Sequence, residues 1–284
     1  MSRMRSAFVI ALVLSGATSP VAAQDWRTIS GHRQVAGEEQ LKVEVEFGAG
    51  QLQVEPGDAG VLYRTSLRYD AEIFKPVHEY SPGALRIGVS SLGDRIRGDL
   101  REGGRLALAL TPDVPLDVDF RFGAAEARIE LGGLRLRRVD IETGATDSRI
   151  GFSKPNPIRM EKLGIEAGAT KLQVRGLGNA NIESLEVKGG VGEITLDFTG
   201  RWNGDTNATI DLGLGKVLLR IPRGLGVRVS KNSFLVAFDS EGLIKRGNDF
   251  YSPNWDSAAR KLTVEISGAL GVVEVDWVDP NDGI

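Results

Sequence analysis

The chain has 284 residues, with no cysteine, two histidines, 36 glycines and a formal net charge of −3. That composition excludes a disulfide framework, thiolate metal sites, iron–sulfur clusters and a Cys nucleophile, and His32 and His78 are too few for a His-rich zinc site. With 35 basic against 38 acidic residues there is no surplus of positive charge to neutralise a phosphate backbone, which argues against a nucleic-acid partner.

In chain order, the first predicted element is a leader. Arg3 and Arg5 precede an apolar run from Ala7 to Leu14, and Val21-Ala22-Ala23 offers small or β-branched side chains to a signal peptidase. This pattern predicts a signal peptide over 1–23, cleaved near Ala23, and an exported product that is periplasmic, cell-surface or extracellular. The run is shorter than the ~20 apolar residues needed to span a bilayer, and no transmembrane segment is expected in the mature chain. No Cys follows it for lipid attachment. Residues 24–40 read as an N-terminal extension, 41–115 as a first β part, 116–278 as a repetitive β part continuous with it, and 279–284 as a tail.

The mature chain is written as a repeat. The unit appears as VEVEFGAGQLQV (43–54), VDFRFGAAEARI (118–129), VDIETGATDSRI (139–150), LGIEAGATKLQV (163–174), LEVKGGVGEITL (185–196) and ATIDLGLGKVLL (208–219). A seventh copy, VEISGALGVVEV (264–275), has Ala269 at the first glycine. Gly123, Gly144, Gly168, Gly190 and Gly213 are 21, 24, 22 and 23 residues apart, a period typical of stacked or solenoidal architectures. On both sides of the small-residue centre, apolar residues alternate with polar ones, as in strands with one buried and one wet face. The centre predicts a bend or bulge that lets one coil's backbone approach the next. No amphipathic helix is predicted. The fold class is therefore all-β: stacked short-strand β-coils in a single elongated domain with irregular N- and C-terminal parts.

Register follows from the same alignment. The residues two before the central glycines are Arg121, Glu142, Glu166, Lys188 and Asp211. In-register stacking would place opposite charges together at Arg121–Glu142, Glu166–Lys188 and Lys188–Asp211, pairs worth about 0.2–1 kcal/mol each. The first and second copies are 75 residues apart, an interval of about three coils, which includes VLYRTSLRYD (61–70), the turn residues Pro76 and Pro82-Gly83, and a polar loop from Gly93 to Gly104. The sixth and seventh are 56 apart, with VRVS, FLVAF and the polar, aromatic GNDFYSPNWDSAARK (247–261) between them. Irregular ends are expected, because terminal coils must be capped against edge pairing.

Several segments together resemble a known family. They are VEVEFGAGQLQVEPG, LRYDAEIFKPVHEYSPGALRI, LTPDVPLDVDFRFGAAEARIELGGLRLRRVDIETGA, the GVG and GLG centres, and NDFYSPNWDSAARKLTVEISGALGVVEV. Over roughly residues 38–278 the chain resembles the bacterial toast-rack proteins, related to the extracytoplasmic domain of LiaF-type cell-envelope stress proteins and to adhesin-like β-solenoids. The resemblance implies an exported right-handed or stacked β-coil domain with no established enzymatic activity and no catalytic residues to carry over. LiaF-type proteins have membrane helices before this domain. This chain departs from that pattern, so a membrane-bound sensing role does not transfer.

Chemistry-bearing candidates are few. The glycine centres are followed by strands, whereas a phosphate loop needs a helix N-terminus. Glu44, Asp119, Asp140, Glu186 and Glu265 recur four residues before the centre, interrupted by Gly164 and Thr209, and read as a solvated strand face. His78 neighbours Glu79, but adjacent strand residues point to opposite faces and make no acid/base dyad. Phe250, Tyr251 and Trp255, with Phe74 and Tyr80 elsewhere, suggest either a partner-binding surface or a cap on the coil stack. The expectation is a non-catalytic, exported cell-envelope module, linked to envelope stress through the resemblance, that binds an envelope protein or wall polymer through Phe250, Tyr251 and Trp255. No cofactor, metal ligand or catalytic residue is assigned, and the oligomeric state is left open. The alternatives are a polysaccharide-active β-helix enzyme using wet-face carboxylates with Arg128 and Arg149, and a self-assembling module that joins coil ends.

Overall fold

A computed structural model describes residues 25–91, 103–232 and 236–279. The expected leader, most of the Gly93–Gly104 loop, part of FLVAF and nearly all of the expected tail lie outside them. The strands are, in chain order, β1 (Trp26–Gln34), β2 (Leu41–Pro56), β3 (Val61–Asp70), β4 (Phe74–Ser81), β5 (Ala84–Ser91), β6 (Gly104–Leu110), β7 (Leu116–Glu130) and β8 (Leu136–Gly151). They continue with β9 (Met160–Arg175), β10 (Ile182–Asp197), β11 (Thr206–Pro222), β12 (Gly226–Lys231), β13 (Val236–Phe238), β14 (Ile244–Arg246), β15 (Asp249–Tyr251) and β16 (Lys261–Val278). Among the described residues there is no helix, and the all-β stack of coils expected from the repeat is what the chain forms.

Each copy of the repeat is one long strand that turns a corner at its glycine, rather than two strands separated by a break. In β2 the inward positions are 41, 43, 45 and 47 before the corner, but 52 and 54 after it. The same change of parity occurs in β7, from 118, 120 and 122 to 125, 127 and 129. One residue is skipped at the bend, so both arms keep their apolar face inward. Pairing continues on both sides of the corner because the neighbouring strands bend at the same rung.

The seven copies pair in parallel in the order β2-β7-β8-β9-β10-β11-β16. Val43, Val118, Val139, Leu163, Leu185, Ala208 and Val264 form one in-register buried column. Leu52, Ala127, Ser148, Leu172, Ile194, Val217 and Val273 form a second beyond the corner. Each fully buried Val or Leu contributes about 1.5–3 kcal/mol, so these ladders dominate the cohesion of the stack. The connections make a third side. Leu131, Phe152, Leu177 and Phe198 are buried there, and their amides donate to carbonyls of the following coil at 2.8–3.0 Å.

The 75-residue interval does not supply three intervening coils. β2 pairs directly with β7, and the inserted strands cover the opposite edge of β2. The β5–β4 hairpin lies against its first arm, and β6, β3 and β1 extend its second. The stretch read as an extension thus contains β1, an edge strand antiparallel to β3. At the other end, β16 inserts beside β11 after β12–β15 have been laid down, and β12 and β13 cover its two arms.

Candidate functional site

The corner gives the outer surface its relief. A Cβ placed on Gly190 would lie 2.6 Å from the Gly168 carbonyl oxygen, and one on Gly213 would lie 2.5 Å from that of Gly190. Gly123, Gly144 and Gly168 meet the preceding rung in the same way, at 2.6, 3.3 and 3.0 Å. From Gly123 to Gly213 the column carries no side chain, which lets these rungs approach closely; only the last rung, in β16, has a methyl group there, that of Ala269. Its bare backbone leaves a groove of about 880 Å3 across β7–β11 and β16.

One wall of this groove is the charged row. Arg121, Glu142, Glu166, Lys188 and Asp211 stand in register, continuing to Ser267. Arg121 approaches Glu142 at 3.6 Å and also Asp119 at 2.6 Å, and Lys188 donates to Glu166 at 2.6 Å. Lys188 holds the Glu166 carboxyl below its ordinary range through that hydrogen bond. The expected Lys188–Asp211 ion pair does not form: Lys188 turns to Glu166, and Asp211 accepts a hydrogen bond from the Ser267 hydroxyl.

Below this row lies a recess of about 190 Å3 lined by Asp119, Asp140, Lys162, Gly164 and Glu186, among others. The carboxylate column is in register, as Glu44–Asp119–Asp140, with Gly164 at the next rung. A Cβ on Gly164 would stand 2.5 Å from Asp140 Oδ1, so the carboxylate leans over the glycine. Burial pushes the Asp119 carboxyl above its ordinary range, opposed by Arg121 and reinforced by Glu142, Glu44 and Asp140. Lys162 neutralises Glu186 at 2.7 Å. Arg128 and Arg149 are not brought to these carboxylates. They lie past the corner, paired in register, beside Glu126 and Asp147, and line a different recess with Arg175.

The three aromatic residues divide. Phe250 packs against Phe238, ring centres 4.9 Å apart, and against the core. Tyr251 and Trp255 meet edge to face at 5.5 Å, half-buried, with Arg246 5.3 Å from the Tyr251 ring and Lys261 5.0 Å from that of Trp255. The pair therefore presents two rings and two cations near the C-terminal end of the stack. His78 is exposed on β4 and pairs with the Tyr63 hydroxyl at 3.2 Å through Nε2. Tyr80, on the same strand, donates to Glu38 and stacks under Arg33, fastening the segment after β1.

The outermost row was not singled out in the sequence. Ala124, Ala145, Ala169, Val191, Leu214 and Leu270 follow one another in register at the corner, and the last three are 52%, 45% and 54% exposed. The usable signal was the residue between the two small centres, which grows from Ala to Val to Leu along the repeats. About half of each of these larger side chains stays open to solvent at the bend.

Among the described residues no helix is long and apolar enough to cross a membrane. No curated protein matches the sequence. The solved structures similar to it include a "putative cell adhesion protein" from Clostridium sporogenes, 16% identical, with a TM-score of 0.48, covering 89% of this chain and 100% of that one. A "putative adhesin" from Parabacteroides merdae is 9% identical, TM-score 0.39, covering 88% and 96%. A "putative lipid binding protein" from Parabacteroides distasonis is 10% identical, TM-score 0.29, covering 88% and 96%. The family described as the N-terminal domain of toast_rack, DUF2154, matches residues 21–174 and 155–220. That match takes in more than half of the sequence and the corners of six of its seven glycine-cornered strands, and the chain belongs to the toast-rack family.

Proposed function

We propose that the protein is an exported, non-catalytic module of the cell envelope that works by surface binding, to an envelope protein or to an envelope polymer. The observation that carries this reading is the groove along the corner. It runs across six parallel strands, its floor is bare backbone, and charges along its wall pair with one another. Such a surface suits an elongated ligand held at many points; a reacting centre instead concentrates perturbed groups around one atom. Tyr251 and Trp255, with Phe250 behind them, supply the aromatic part of the binding surface, where rings flanked by Arg246 and Lys261 can stack on a sugar or anchor a protein side chain. Export rests on the leader-like start of the sequence. The division at 41–115 and 116–278 is kept as a working boundary between the part that holds the first glycine-cornered strand with its inserted strands and the part that holds the other six.

The test is co-sedimentation of the purified protein with isolated envelope fragments. Saturable binding, weakened at least about tenfold in the Tyr251→Ala/Trp255→Ala variant, supports the reading. Equal sedimentation of the two proteins removes the aromatic pair from it, and absence of saturable binding removes the function.

A second reading has one observation in its favour. Asp119 is a partly desolvated carboxyl with a raised pKa, in register with Asp140 over a recess, as a polysaccharide-active enzyme would need. It makes a separate demand, hydrolysis of the bound polymer.

A further inference from the structure

We propose that the corner ridge is the interface for a second copy of this chain, docked antiparallel about a two-fold axis that passes between β9 and β10. It does not rest on the ligand proposed above: its contacts are the ridge beside the groove floor and the charged column past it, not the charged wall of the groove. Along the ridge the exposed corner residues are small at one end and large at the other: Ala124, Ala145 and Ala169, then Val191, Leu214 and Leu270. Reversing one copy against the other sets Ala124 opposite the second copy's Leu270, Ala145 opposite its Leu214 and Ala169 opposite its Val191. Every contact then pairs a small residue with a large one, and both ridges stay in step because each repeats at ~4.8 Å per rung.

The column two residues past the ridge fixes the same alignment by charge. It reads Glu126, Asp147, Lys171, Glu193, Lys216 and Val272 in register. With the axis between β9 and β10, Lys171 faces the second copy's Glu193, and Asp147 faces its Lys216. Within this column symmetry makes four opposite-sign contacts and no like-sign one. Sliding by one rung in one direction sets Lys171 on the second copy's Lys171 and Asp147 on its Glu193. Sliding in the other sets Glu193 on Glu193 and Lys171 on Lys216. Like charges directly opposed are destabilising, so the register is specified. Lys171 and Glu193, the pair nearest the axis, are exposed and make no ion pair among the described residues. Val272, 40% exposed, extends the apolar end beside Leu270. The ridge spans about 24 Å over five rung spacings, which places the contact at the small end of specific interfaces, so the dimer forms in a concentration-dependent manner.

The absence of native cysteine permits a direct test on the full chain. Ala145→Cys and Leu214→Cys proteins are oxidised separately and as a mixture. The mixture is expected to give a disulfide-linked heterodimer, while neither protein alone links, because like positions stand beyond the ~7 Å Cα separation a disulfide tolerates. Sedimentation equilibrium supplies the second arm: Lys216→Glu weakens dimerisation about tenfold, and Asp147→Lys added to it restores the affinity. Monomer at every concentration, cross-linking of each single variant as readily as the mixture, or failure of the double reversal to rescue would overturn the proposal. So would a Leu214→Asp protein that self-associates like the wild type, including one that loses only adhesion to lipid vesicles.

Discussion

Asn156 closes both main-chain hydrogen bonds of Leu136 with its single side-chain amide: Oδ1 accepts from the Leu136 N–H at 3.2 Å, and Nδ2 donates to the Leu136 carbonyl at 2.9 Å. The same amide donates to the Ala180 carbonyl at 3.3 Å and accepts from the Ile158 N–H at 3.2 Å, so one buried turn residue joins three successive coils. Asn156→Ala strands these groups where water cannot reach. With a cost of about 1–3 kcal/mol per unsatisfied buried group, the substitution is expected to destabilise by at least about 3 kcal/mol in urea unfolding. An exposed polar change such as Gln51→Ala should stay within about 0.5 kcal/mol.

The glycine column predicts a sharp contrast between two chemically identical substitutions. At Gly190 an added Cβ meets the Gly168 carbonyl at 2.6 Å, and ladder backbone on both sides leaves little freedom to retreat. Gly190→Ala should cost about 1–3 kcal/mol. At Gly224 nothing lies within 4 Å and φ is not left-handed, so Gly224→Ala should stabilise by about 0.4–1 kcal/mol through the unfolded chain. Thermal midpoints of the two variants check both signs.

Acid titration separates two carboxyls of opposite behaviour. Glu38 is held below its ordinary 4.5, chiefly by the Ala36 N–H, with Tyr80 and Arg33 contributing. Its stabilisation is complete above the unfolded value and is lost as pH falls through the folded one. Glu38→Gln should therefore lower the midpoint at neutral pH and have no effect in strong acid. Asp119 is raised above 3.8 by burial, so the fold binds its proton more tightly than the unfolded chain does. Ionised Asp119 costs stability above its folded value, and Asp119→Asn should raise the midpoint at pH 7 by a few degrees. The gain should shrink as pH drops through that value, once the wild-type carboxyl is itself neutral. Unfolding curves at a series of pH values test both signs in one experiment.

The Asp197–Arg220 contact gives a further stability prediction. The two residues are in register on β10 and β11, 2.7 Å apart, with the Asp197 carboxylate buried and also accepting from the Thr199 N–H. Arg220→Ala leaves that carboxylate buried beside one N–H alone, and a loss of about 3 kcal/mol is expected. Asp197→Asn with Arg220→Gln, which keeps hydrogen bonding without charge, should recover part of it.

The parts of the fold written as repetition were legible in the sequence, and the parts written once were not. Period-two alternation around Gly123 to Gly213 was enough for an all-β stack and for the charged row, because in-register stacking turns equal spacing into contact. The Lys188–Asp211 step misled because Lys188 has two acidic neighbours and reaches Glu166, leaving Asp211 to Ser267 on a strand 56 residues later. The 75-residue interval misled because spacing alone does not say on which edge of β2 an insertion packs. β1 carried little signal: as an edge strand paired on one side, its residues alternate only faintly between wet and buried. Nothing in the repeat pattern marks Asn156 and Asn179, and only the folded turns show their amides satisfying carbonyls and N–H groups of other coils.

The central claim is that this surface binds without reacting. The most direct measurement incubates the purified protein with isolated envelope polysaccharide and follows bound protein and newly released reducing ends together. The account predicts saturable binding, no reducing ends above the protein-free control, and identical binding by Asp119→Asn and Asp140→Asn. Release of reducing ends that disappears in either variant would contradict it and make the carboxylate column a catalytic site.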